Sequence, residues 1–156
     1  MLWKTNPEDA VTFVANHDTD REPVIEQEHK LFAYSYILTH PGYPTIFYLD
    51  YENEAFKEKL NQLILINRTI ASGELEVLYA DEDEYIAARK GEGENPGLVL
   101  YINTNGLELN RQVTTHWNEA DLHDYTGGIT SSISTDSSGD VTLKVPANGI
   151  AVWSIK

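Results

Sequence analysis

Ala10-Val11-Thr12-Phe13-Val14-Ala15-Asn16-His17-Asp18 is an apolar, β-branched run that ends abruptly in three polar side chains. A nearly continuous apolar stretch of this length predicts a parallel strand buried on both faces, since a half-exposed strand would alternate. Polar groups at the carboxyl end of such a strand lie where open α/β sheets and (β/α) barrels gather their chemistry. The same three residues would also cap an ordinary turn, so the motif by itself leaves both roles open.

Downstream of that stretch the first half reads β-α-β-α. Residues 16–23 form an irregular polar segment of active-site-loop length. A helix is expected over 25–39, with Leu31, Tyr34, Ser35 and Leu38 on one face and Pro41-Gly42 closing it. Residues 43–48 make a second apolar strand, followed by the carboxylate of Asp50. A second helix is expected over 53–71. Its stripe of Phe56, Leu60, Leu63, Ile64 and Ile70 is interrupted only by Asn67, and Ser72-Gly73 supplies the stop.

After Gly73 the period changes from helical to alternating. Strands over 74–79 and 85–89 flank the acidic turn Asp81-Glu82-Asp83-Glu84 as a hairpin. Leu98-Val99-Leu100-Tyr101-Ile102-Asn103 has the continuous apolar look of a central strand. Short strands follow at 112–115, 122–125, 141–145 and 150–154, separated by Asn105-Gly106, Gly127-Gly128, Ser137-Ser138-Gly139 and Asn148-Gly149. The fold class is therefore α/β plus all-β. Residues 1–73 form the first part, and residues 74–156 an antiparallel, sandwich-like β domain.

These segments, in this order, resemble one family. Residues 6–19, from Asn6-Pro7-Glu8-Asp9 through Asn16-His17-Asp18-Thr19, resemble the last catalytic segment of glycoside hydrolase family 13, the α-amylase family. Gly42-Tyr43-Pro44-Thr45-Ile46-Phe47-Tyr48 resembles its eighth barrel strand. Residues 74–156, down to Val145-Pro146-Ala147-Asn148-Gly149-Ile150-Ala151-Val152-Trp153-Ser154, resemble its C-terminal β domain. The resemblance implies that residues 1–73 are the last two βα units of a (β/α)8 barrel. It implies endo-hydrolysis of α-1,4-glucans, starch or glycogen, with retention. In such enzymes three carboxylates follow strands 4, 5 and 7, and only the last has a counterpart here, Asp18. The implied roles are a transition-state-stabilising carboxylate for Asp18 and a substrate hydrogen bond for His17. Without the nucleophilic Asp and the acid/base Glu, the chain alone is expected to lack turnover. Two alternatives stand beside this: a non-catalytic carbohydrate-binding or interaction module, and one chain of a split amylase. In the latter, a barrel-completing chain or self-association covers the missing strands.

Composition narrows the partners. With 11 basic and 25 acidic residues the formal charge is −14, which disfavours nucleic acid and anionic membranes but leaves a neutral glucan open. A hydrophobic content of 41% suffices for a core, and the absence of cysteine rules out disulfides and thiolate chemistry. The N-terminus lacks a signal-peptide pattern, and the resemblance is compatible with an extracellular location. No cofactor is expected in this chain; the resemblance leaves Ca2+ open for a full-length member of the family, with no site identifiable here.

The remaining candidates are weaker. Asn16 is expected to brace the loop, and Thr19 and Asp20 to line it. Tyr48 and Asp50 should end the neighbouring strand on the face that carries Asp18, which would allow a carboxyl pair. Trp153 reads as core. Trp117 lies in a polar connection and is the better platform for a sugar, although packing is the commoner fate of Trp. The acidic runs at 81–84 and 136–140 read as solvated turns, since they lack the spaced ligands of a calcium loop. His116 and His123 lack the ligand geometry of a zinc site and read as core or surface histidines.

Overall fold

The computed structural model describes residues 2–19 and 25–156, and the chain divides into two compact units, Met1–Arg68 and Thr69–Lys156. In the first unit, a short helix α1 (Leu2–Thr5) and a 3-10 turn (Pro7–Asp9) lead into strand β1 (Val11–Phe13). A second 3-10 turn (Gln27–His29) runs into helix α2 (Lys30–Thr39), which is followed by strand β2 (Tyr43–Thr45). The unit ends in helices α3 (Tyr48–Glu52) and α4 (Glu54–Thr69). Strands β1 and β2 pair in parallel, Val11 opposite Tyr43 and Phe13 opposite Thr45. Parallel pairing needs a crossover, and α2 provides it.

Helix α2 buries Tyr34, Ser35 and Leu38, three of the four residues expected on its inner face. Helix α4 buries Phe56, Leu60, Leu63 and Ile66 at helical spacing. The Asn67 that interrupts its apolar stripe donates from Nδ2 to the Leu38 carbonyl at 2.7 Å, satisfying an acceptor at the end of α2. Between α2 and β2 sits Gly42 with φ +120°, where a Cβ would meet the Ala10 carbonyl oxygen at 3.0 Å. The next residue, Tyr43, donates its N–H to that same oxygen at 2.7 Å.

Two expectations for this unit need correction. Strand β1 is not buried on both faces: Ala10, Val14 and Ala15 are buried, but Val11 is 64% and Phe13 49% exposed. Tyr43 shares that open face at 60%. A continuous apolar run reports that a strand wants cover on both sides, and among the described residues one side is left open. The second strand is also shorter than expected, so Tyr48 and Asp50 lie in α3 rather than at a strand end.

The second unit is antiparallel β throughout. Its strands are β3 (Leu75–Ala80), β4 (Glu84–Arg89), β5 (Leu98–Asn103), β6 (Leu109–Thr114) and β7 (Asp121–Asp124). They continue with β8 (Ile133–Ser134), β9 (Asp140–Val145) and β10 (Gly149–Ser154). A six-stranded sheet runs β3-β4-β5-β10-β7-β8, and β6 pairs with β9 in a second sheet. Alternate residues from both sheets meet in one core. Ile86, Tyr101, Ala151 and Trp153 come from the larger sheet, Val113, Leu143 and Val145 from the smaller. The Trp153 indole N–H is satisfied by the Lys144 carbonyl at 3.1 Å. At the start of this unit two chain segments touch backbone to backbone: a Cβ on Gly73 (φ +82°) would lie 2.1 Å from the Gly91 carbonyl oxygen.

Candidate functional site

His17 and Asp18 follow directly on β1, at the carboxyl end of the parallel pair. The turn that presents them is built by Asn16. Its Oδ1 accepts the N–H groups of Asp18 at 2.9 Å and Thr19 at 3.0 Å, while the Thr19 hydroxyl accepts the Asn16 N–H at 3.0 Å. Bracing is thus the role Asn16 performs, through a local side-chain turn. The buried Val14 and Ala15 anchor the base of this turn. The two site side chains point outward, 86% and 81% exposed, with His17 Nε2 3.5 Å from Asp18 Oδ1. A carboxylate accepts hydroxyl protons and an imidazole can donate, so together they present complementary groups to vicinal hydroxyls. Asp20 lies outside the described residues.

Asp50 does not join them in a carboxyl pair. It is buried in α3, where Oδ1 accepts from Lys30 Nζ and Oδ2 from the Tyr34 hydroxyl, each at 2.6 Å. Both oxygens are committed to holding α3 against α2. Tyr48 is exposed on the same short helix.

In the β domain, Trp117 is not a sugar platform. It is 8% exposed, packed in the core, with its indole N–H on the Pro96 carbonyl at 3.1 Å and the His116 ring 4.0 Å away. Burial pushes the His116 imidazole below its usual pKa, and its Nε2 sits 3.1 Å from the same carbonyl. The acidic runs are turn chemistry. Asp81 Oδ1 accepts the N–H groups of Asp83 and Glu84, and Asp136 Oδ1 those of Ser138 and Asp140. Among the described residues no three His, Asp or Glu side chains converge as a metal cluster.

One polar cluster escaped the sequence reading. Glu84, buried at the start of β4, accepts two hydrogen bonds from Arg111, one of them from Nε at 3.1 Å, and a third from the Tyr101 hydroxyl. The Arg111 hydrogen bond is the main reason the Glu84 carboxyl titrates below its usual range, and burial pushes the Tyr101 hydroxyl up. The guanidinium carbon also lies 3.4 Å from the centre of the Tyr79 ring. The available signal was position: Arg111 alternates with Leu109 and Val113, both on the core side of β6.

Residues 98–154 match the α-amylase C-terminal family. The chain is 31% identical to an α-amylase from Geobacillus stearothermophilus over 97% of its own length and 30% of that protein's. It is 29% identical to a cytoplasmic α-amylase from Escherichia coli, over 99% of its own length and 36% of that protein's. A solved γ-CGTase from alkalophilic Bacillus clarkii superposes with a TM-score of 0.76 at 21% identity, covering 96% of this chain and 27% of that one. The chain therefore resembles the C-terminal part of an α-amylase. It spans about a third of the length of the curated relatives it matches. One of those relatives is named as cytoplasmic, and no helix among the described residues is long and apolar enough to cross a membrane.

Proposed function

We propose that this chain is the C-terminal part of an α-amylase-like glycoside hydrolase acting on α-1,4-glucans, and that it is inactive without the rest of the barrel. In this reading β1 and β2 are strands 7 and 8 of a (β/α)8 barrel, with α2 and α4 as their helices, and the β domain begins near Gly73. Asp18 accepts hydroxyl hydrogen bonds from the sugar ring being cleaved and favours its distorted, oxocarbenium-like form. His17 donates to a neighbouring hydroxyl. The nucleophile and the proton donor come from strands supplied by a longer polypeptide or by a partner chain.

The observation that carries this is the open face of β1 and β2. Val11, Phe13 and Tyr43 stand in register on one side of a parallel pair, exposed, with His17 and Asp18 at its carboxyl end. Two strands cannot close a barrel, and an inward-facing apolar layer is what a closed one buries. Trp117, the residue on which a separate carbohydrate module would have rested, is core.

The test is reducing-sugar release from soluble starch. The chain and its Asp18→Asn variant are assayed alone, and again when co-expressed with the N-terminal remainder of the Geobacillus stearothermophilus relative. No release is expected from either protein alone, and Asp18-dependent release on complementation. Release by the chain alone that Asp18→Asn abolishes would overturn the proposed inactivity. An assembled but equally active Asp18→Asn complex would remove Asp18 from the mechanism.

A further inference from the structure

Strands β3 and β6 each have one neighbour among the described residues, β4 and β9 respectively, so each keeps an outer edge. The two edges border a groove of about 400 Å³, lined by residues 76–79 of β3 and 111–114 of β6. Antiparallel alternation decides which backbone groups point into it. The Glu74 carbonyl accepts the Lys90 N–H, so Glu76, two residues on, also bonds β4, and Leu75 and Val77 turn their N–H and C=O groups outward. The Thr115 N–H bonds the Gly139 carbonyl, so Arg111 and Val113 bond β9, and Gln112 and Thr114 turn theirs outward. Two rows of backbone donors and acceptors therefore share one space.

An extended peptide answers both rows at once, because successive residues of a strand direct their N–H and C=O groups to opposite sides. Each wall is four residues long, enough for a short strand. The floor is apolar: Leu78 and Tyr79 pack against the core, and Val113 belongs to it. The rim is acidic. Glu74 and Glu76 share the single ammonium of Lys90, at 3.3 and 3.1 Å, and β3 runs on into Asp81-Glu82-Asp83. Arg111 spans the groove, with its guanidinium 3.4 Å from the Tyr79 ring centre, but it is already paired with Glu84 and closes that end. The inward side chains of a guest strand would meet the apolar floor. Its outward ones would meet a rim richer in carboxylates than in cations, on a chain of charge −14.

We propose that this groove receives a β-strand from a partner protein, a short extended segment that alternates apolar and basic residues and joins the β3 edge to the β6 edge. The register of β3 shifts between Val77 and Tyr79, so the guest pairs with the part of β3 that precedes this bulge. The docking surface is built wholly from the second unit and does not depend on the role proposed for Asp18.

The test uses the whole isotope-labelled chain and a short end-capped peptide alternating valine and lysine. Saturable amide NMR shifts are expected on both walls, with slowed hydrogen exchange at Val77, Gln112 and Thr114, whose N–H groups the guest captures. Methylating one peptide nitrogen that faces an edge should weaken binding about fivefold, the worth of one hydrogen bond. Gln112→Pro removes an edge donor without touching the β9 ladder, and should weaken binding by a similar factor in a variant that keeps the folded spectrum. A peptide with glutamate in place of lysine should bind more weakly, by a margin that shrinks as salt is added. Slowed exchange at neither edge, or at one edge only, would overturn the docking between strands. So would an unaltered affinity of the N-methyl peptide, since side chains alone would then hold the guest. Equal binding of the glutamate peptide would overturn the basic assignment. Shifts at the same amides on dilution without peptide would make the occupant a second copy of this chain, and overturn the assignment to a partner protein.

Discussion

The Lys30 ammonium donates to the Asp50 carboxylate across 2.6 Å, with 7% and 5% of the two side chains exposed. Tyr34 completes the arrangement, donating to the other Asp50 oxygen while its own oxygen accepts the Phe47 N–H at 3.3 Å. Burial, and then the Asp50 hydrogen bond, pushes the Tyr34 hydroxyl above its usual pKa. Three side chains thereby fix the start of α3, immediately beyond β2.

Removing one member should be costly, because the other charge stays buried without compensation. Lys30→Met is expected to destabilise the first unit by about 3–5 kcal/mol. Urea unfolding read by amide exchange within α2 and α3 measures this, and a loss below about 1 kcal/mol would mean that the pair is open to water.

Glu84 gives the second unit an acid-sensitive lock. Its folded pKa lies below the unfolded value, principally through Arg111. Its contribution is therefore complete above the unfolded glutamate pKa of about 4.3 and is lost as pH falls through the lower, folded value. Asp81, lowered by the Tyr79 hydroxyl and by turn N–H groups, acts in the same direction. Thermal melting between neutral pH and pH 3 should show Tm falling at the acid end. Glu84→Gln should lower Tm at neutral pH and flatten that fall.

The open side of β1 and β2 should make the chain sticky. Sedimentation of the wild type is expected to show concentration-dependent association. Phe13→Ser combined with Val11→Ser should reduce it without loss of secondary structure, since neither side chain is in the core. A monomeric wild type at all concentrations would show that this face needs no cover.

Trp117→Ala should destabilise the β domain by about 3–5 kcal/mol, the usual cost of deleting a large buried aromatic. Thermal melting of the variant beside the wild type measures this. A loss below about 1 kcal/mol would mean that the indole contributes little to the core.

Local pattern carried most of the secondary structure. Residues 98–103 were expected as a central strand and are one, and the hairpin around residues 81–84 falls within a residue of its expected bounds. Helix α4 was legible because its apolar spacing is regular, and the Asn67 interruption turned out to be a capping contact. Failures came where a residue's surroundings lie far away in sequence. Nothing near Phe13 says which neighbouring strand is present, and nothing near Trp117 says that Pro96 waits for its indole N–H. The sequence around Arg111 gives no sign of its partner, because Glu84 lies 27 positions earlier. Strand β8, two residues long, is too short to leave a periodic trace. At the candidate site, the Asn16 turn was readable because its bonds span two or three residues.

Strand β10 lies between β5 and β7, although it is the last strand of the unit. The meander β3-β4-β5 needs only neighbours in sequence and can assemble early, but β7 and β8 join that sheet only through β10. Ser154, on β10, also donates its hydroxyl to the Gly97 carbonyl at 2.7 Å, a closure over 57 positions. Such closures are entropically expensive and come late. The domain should therefore fold like a clasp, with its final half-dozen residues deciding whether everything before them becomes a sheet or remains two unfinished pieces.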